Sequence, residues 1–199
     1  MAQRPFPRRL TPFQQEETNM KRFEEKTYKV FELFHKQWAL VSAGSPERFN
    51  ACTVSWGSMG SLWTRLGEEE GSIMTVYLHP ARFTCDFMRE CGIFTVSFFP
   101  DEQKKALGYM GSHSGRDCDK VAAAGLTPVA IGEGVTFQEA NLTFVCRKLY
   151  QHQFAREDLA PEIQDYYRNN PKIYPVDKDG QWQPHWVFVG RILEVEDKR

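Results

Sequence analysis

Short β-type segments recur along this chain without helices alternating regularly between them, and that pattern limits the possible folds more than any other feature. The segments are VFELF (30–34), WALVSA (38–43), CTVSW (52–56), IMTVYL (73–78) and IFTVSFF (93–99), all rich in aromatic and β-branched residues. GVTFQEANLTFVCRKLYQHQF (134–154) has room for one or two more, and WVFVGRILEVE (186–196) supplies another. About seven strands follow from pattern alone. Three helix-like pieces lie between them: TCDFMREC after Pro80, DEQKKALGYMG with Asp101 as cap and Gly111 as stop, and DCDKVAAAGL. A mainly β, closed antiparallel barrel with a few peripheral helices explains this order better than βαβ units do. The absence of GxGxxG and GxxxxGK[ST] segments agrees with that reading.

The chain has 199 residues, 41% of them hydrophobic, enough for one domain with a substantial core. Residues 1–27, rich in Pro, Arg, Gln and Glu, read as a solvated arm, with a helical turn across QQEETNMKRFEE; residues 28–199 read as the domain. Lys and Arg total 25 against 26 Asp and Glu, so no long-range field steers nucleic acid or an anionic membrane to the surface. Any anion must be held locally. No apolar run follows the basic N-terminal residues and none is long enough for a span, so no membrane partner is expected and the cytoplasm is the expected compartment. Five cysteines without a CxxC pair and five dispersed histidines point to free thiols and to no metal site.

Four stretches carry candidate chemistry. In CTVSW, alternation puts Thr53 and Ser55 on one face and Cys52, Val54 and Trp56 on the other, so the hydroxyls face either water or a flat heterocycle. In LHPARFTCDF, Pro80 ends a strand and Arg82, Phe83 and Thr84 open a helix, an arrangement suited to a phosphate monoester. The plainer alternative there is Thr84 as N-cap and Arg82 on the surface. GSHSGRDCDKVAAAG crowds Ser114, Gly115, Arg116 and Lys120 into a loop before a helix, either an anion cradle or a surface loop with Asp117 as cap. HWVFVG places His185 at the start of a strand, where it is a structural residue or a hydrogen-bonding and proton-transfer group.

Taken in order, NACTVSWGSMGSLW, ARFTCDFM, FTVSFF, GSHSGRDCDK, EANLTFVCRKLY and HWVFVG resemble the flavin reductase-like family of FMN-binding split barrels, particularly its flavoredoxin-type branch, from about Trp38 to Val195. The resemblance implies a six-stranded antiparallel Greek-key split β-barrel that binds FMN non-covalently and forms a homodimer. It implies that Thr53, Val54, Ser55 and Trp56 border the flavin ring and that Ser97 and Phe98 continue its floor. Arg82, Phe83 and Thr84, helped by Lys120, would take the phosphate, and Ser114, Gly115 and Arg116 would close one side. His185 matches a family histidine near the flavin and the nicotinamide. His79 stands where relatives often show an arginine, Cys52 where they show Met or Ala, and the acidic loop around 68–70 lacks a proline common there. Three functions follow as alternatives: an NAD(P)H-dependent flavin reductase, an FMN electron carrier reduced by a redox protein, or a non-redox binding barrel.

Overall fold

The computed structural model describes residues 23–64 and 71–199. The expected helical turn over residues 14–25 lies mostly outside the described residues, and the acidic loop at 68–70 lies wholly outside them. Among the described residues nine strands form: β1 (Ala39–Ser45), β2 (Arg48–Val54), β3 (Gly57–Ser61), β4 (Ser72–Leu78), β5 (Ile93–Phe98), β6 (Pro128–Ile131), β7 (Gly134–Phe137), β8 (Leu142–Gln153) and β9 (Trp186–Asp197). Seven of them make one antiparallel sheet in the order β2-β1-β5-β8-β9-β4-β3, and β6 pairs with β7 in a separate ribbon. The main sheet thus has seven strands rather than six, and its curl brings β2 back toward β4.

Alternation along the strands builds two cores. Ala39, Val41 and Ala43 of β1 face the inside of the curl with Cys52, Val54, Phe94, Val96, Phe98, Phe144 and Phe188. Leu40 and Ala51 point the other way and meet Leu107, Met110, Leu126 and Phe137 beneath a helix. Thr95 and Ser97 also face outward, and the β6–β7 ribbon covers them. Thr95 Oγ1 donates to the Val135 carbonyl at 2.5 Å, while the Ser97 hydroxyl lies 2.9 Å from Thr136, itself 2.8 Å from Thr143. Polar residues inside this layer are tolerated because each of these hydroxyls has a partner.

Among the described residues four α-helices decorate the sheet: α1 (Phe83–Glu90), α2 (Lys104–Ser112), α3 (Lys120–Ala123) and α4 (Pro161–Arg168). Among the described residues no helix is long and apolar enough to cross a membrane. VFELF does not form the expected strand. It enters a π-helical turn, Glu32–Gln37, that buries Leu33 and Phe34 and ends at Trp38 with φ 67°. Lys104 holds that end, its ammonium lying over the Trp38 ring at 3.6 Å and donating to the Gln37 carbonyl at 3.1 Å. Gly57 is required opposite Phe34, since a Cβ there would run into the ring. Phe23, expected in the solvated arm, is buried in the main core, and Lys26 bridges Asp197 at 2.9 Å. Asp101 heads a short 3-10 turn and Gly111 lies within α2, so neither plays the capping or stopping role expected of it.

Phe98 is fully buried, with its ring 5.3 Å from Phe34 and 6.3 Å from Phe144 in edge-to-face contacts. The side chains of Ser97 and Phe98 thus lie in the interior on opposite faces of β5, as its alternation dictates. Phe98→Ala should lower the free energy of unfolding by about 3–5 kcal/mol in a urea titration, the cost typical of a cavity left by a core phenylalanine.

Candidate functional site

Two groups of residues converge where β2 ends, where β4 turns into α1, and where β9 begins. The first is cationic. Pro80 stops β4, and Arg82 enters α1 in an extended conformation with no side-chain cap at that end. The amides of Phe83 and Thr84 thus open the helix without intrahelical acceptors. The Arg82 guanidinium donates to the Gly111 carbonyl at 2.8 Å, and Lys120 Nζ donates to Met110 and His113 carbonyls at 3.3 and 3.2 Å. These carbonyls belong to the C-terminal turn of α2 and the residue after it, where unsatisfied oxygens carry partial negative charge. Burial pushes the Lys120 ammonium below its usual range. Arg116 lies over the Phe83 ring at 4.5 Å and pairs with Asp86 at 2.5 Å.

The expected residues in this region divide. Thr84 is fully buried, and its hydroxyl donates to Asn50 Oδ1 at 2.7 Å rather than capping α1 or facing a ligand. Gly115 has to be glycine because a Cβ would strike the Asn50 amide, so the loop lies directly on β2. Ser114 accepts from the Arg116 amide at 3.2 Å in a local turn. Asp119, not Asp117, caps α3 by accepting from the Ala122 amide at 3.1 Å. Thr53 is turned toward α2, donating to the Leu107 carbonyl at 2.6 Å, while Val54 points into the core. Ser55 and Trp56 lie beyond the end of β2 and are exposed, Trp56 by 40%.

The second group is aromatic and uncharged. The His185 ring lies tilted against Trp56 at 4.5 Å and edge-on to His79 at 5.3 Å. His79 Nδ1 accepts the Ala81 amide at 3.2 Å, which leaves Nε2 to donate to the Gln183 carbonyl at 3.0 Å. A continuous path therefore runs from the α1 N-terminus through His79 and His185 to Trp56. Tyr167 of α4 and Tyr174 of the following loop close over it, Tyr174 lying 5.4 Å from His185 and 5.3 Å from His79. Beside Trp56 opens a groove of about 450 Å³ lined by Phe31, Phe34, Ser55, Tyr77 and Phe154. None of the sequence motifs pointed to Tyr167 or Tyr174. The signal available was the long segment between β8 and β9, which carries five aromatic residues where compact domains usually have short connections.

Burial lowers His79 to about 4, with its bond to Gln183 opposing the shift, and lowers His185 to about 3, with His79 and Arg82 adding to the effect. His79 thus supplies no positive charge in place of the arginine the resemblance leads one to expect. A phosphate can be held by the α1 amides, the remaining Arg82 donors and Arg116; a flat ring can lie along Ser55, Trp56 and His185. The donor set fits FMN.

A model of the flavin reductase like domain matches residues 31–199. The chain belongs to that family. The structure of this family member is similar to that of an FMN-binding protein from Thermus thermophilus with bound 1-cyclohex-2-enone, at 24% identity and TM-score 0.58, covering 83% of this chain and 74% of that one. Flavoredoxin from Methanosarcina acetivorans matches at 20% identity and TM-score 0.57, covering 81% and 68%. Nitrilotriacetate monooxygenase component B from Bacillus cereus matches at 13% identity and TM-score 0.58, covering 98% and 83%. At these identities what is shared is the fold. No curated protein matches the chain.

The depressed histidines make stability depend on pH. Their ordinary value is 6.5, so below it the unfolded chain takes up protons that the folded chain refuses. The stabilisation these sites supply is complete above pH 6.5 and is lost as pH falls toward about 4 at His79 and about 3 at His185. The urea midpoint should fall between about pH 7 and pH 4, and fall less in His79→Gln than in the wild type.

Proposed function

We propose that this family member is an FMN flavoprotein that oxidises NAD(P)H, with the phosphate at the N-terminus of α1 and the ring system beside Trp56 and His185. The observation that carries the reading is the unbroken path from the uncapped α1 terminus and Arg82, through the two neutral histidines, to exposed Trp56. Six strands of the curled sheet are read as the Greek-key split barrel of the family. A homodimer would cover the apolar groove at Trp56, where Phe31 is 92% exposed.

When bound, FMN supplies the redox chemistry, accepting a hydride from reduced nicotinamide and passing electrons on singly or in pairs. The chain supplies position and environment. The Phe83 and Thr84 amides and the remaining N–H groups of Arg82 would hold the phosphate, a charge-assisted arrangement at the positive end of a helix. Trp56 and His185 would limit water access along the ring, and fixed dipoles there would stabilise charge that develops on it. No nucleophile or strong acid is needed, and neutral His185 contributes as a hydrogen-bonding group.

An electron carrier is the second reading, favoured by Tyr174 and Tyr167, whose rings cover His185 and narrow the approach for a nicotinamide. Anaerobic addition of NADH or NADPH to the FMN-loaded protein distinguishes the two. Rapid bleaching of the flavin absorption is the expected result; a yellow protein that stays oxidised would instead indicate a carrier served by a redox protein. Failure of the protein to take up FMN would remove both. Arg82→Ala should weaken FMN affinity by about 1–3 kcal/mol in a fluorescence titration, and unchanged affinity would remove the phosphate assignment.

A further inference from the structure

The Tyr167 phenol lies 2.5 Å from His185 Nδ1. The same phenolic oxygen receives the His185 backbone amide at 3.4 Å, and the ring nitrogen is the acceptor within reach of its own proton. Both side chains are buried, and the Tyr167 ring is stacked on Trp182 at 5.4 Å with 19° between planes. We infer that Tyr167 is a positioning residue that locks His185 in the neutral form with its proton on Nε2, so that His185 offers a ligand a fixed hydrogen-bond donor and selects an uncharged ring bearing a carbonyl acceptor.

A carboxylate in the place of Tyr167 would accept from Nδ1 and favour the imidazolium. A phenol that donates to Nδ1 does the opposite, because protonating that nitrogen would turn the hydroxyl hydrogen away and leave it without its acceptor. Among the described residues, the other groups acting on His185 are His79 from the end of β4, Arg82 from the start of α1, and Tyr174 from the loop after α4, with the tilted Trp56 ring on one side. Arg82 disfavours a further positive charge, and neutral His79 and Tyr174 do not offset it. The lowered value of His185 agrees with this geometry. The tautomer follows from the chain alone, whereas the carbonyl ligand, such as a nicotinamide carboxamide, rests on the reductase reading.

Long-range ¹H–¹⁵N correlation spectra of histidine-labelled protein, recorded between about pH 5 and pH 8, test the proposal. His185 should show the Nε2–H pattern with no titration, and His79, whose Nδ1 accepts the Ala81 amide, should show it too and serve as an internal control. In Tyr167→Phe, which keeps the ring stacked on Trp182, His185 should gain an Nδ1–H population while His79 is unchanged. Anaerobic flavin reduction by NAD(P)H should slow about tenfold in that variant, the loss of one oriented hydrogen bond, with FMN affinity changed less than about threefold. An Nδ1–H wild-type His185, or one titrating near its ordinary value, overturns the proposal, as does a Tyr167→Phe spectrum identical to wild type. The expected tautomers in a protein that NAD(P)H does not reduce would uphold the positioning role of Tyr167 and remove the reductase reading.

Discussion

The pairing of Gln153 with Trp186 at the open end of the β8–β9 ladder decides where the site can be. Residues 154–185 leave the sheet and return to it at the same rung, with the Phe154 amide donating to the His185 carbonyl at 3.1 Å. The excursion between them must then fold back over that end of the sheet, and its apolar side chains need a surface. They find one in Trp56, His79 and His185, which the ends of β2, β4 and β9 bring together. A slip of one residue in this ladder would turn His185 to the other face of the sheet and scatter the cluster. The strand register is thus the structural cause of the chemical arrangement.

On the other side of the cluster the organising interaction is electrostatic. Arg82 and Lys120 come from separate elements and converge on the C-terminal carbonyls of α2, which would otherwise lack partners. This convergence fixes the spacing between the α1 N-terminus, the α2 C-terminus and the loop at 113–119. Gly115 and Gly111 make the close approach possible, the first against Asn50 and the second against Thr53. An anion arriving at α1 meets cations already held in place, so little side-chain ordering remains to oppose binding. Lys120, buried and satisfied by two carbonyls, serves the frame more directly than it serves an anion.

Most of the strands were legible because β-branched and aromatic residues cluster in them, and the helix after Pro80 was legible from its proline and its amphipathic run. VFELF misled because composition cannot separate a strand from a tight helical turn when the segment is this short; Lys104, far away in sequence, holds the turn's end. β3 and β6 escaped notice since GSMGS and PVAI carry few strand formers and gain their order from a neighbour. At the site, the resemblance to the family placed Arg82, Trp56 and His185 near one another but could not tell which hydroxyls were free. Thr53, Thr84 and Ser97 look like ligand contacts in sequence, yet each bonds within the protein. Such commitments depend on partners brought by the fold, and nothing local announces them.

The two halves of the site differ in charge for a reason that lies in burial. The cations converge on the C-terminal end of α2, whose carbonyl dipoles stabilise them, whereas the histidines are buried among rings that stabilise no charge. A ligand that spans both halves must therefore be anionic at one end and flat and neutral at the other. That division restricts what can bind more than any single contact does. A nucleotide with a large uncharged ring satisfies it, while a dianionic small acid would leave the aromatic half unfilled and a purely apolar ring would leave the α1 amides without an acceptor. The flavin mononucleotide suggested by the family is thus also the ligand class that this distribution of charge independently favours.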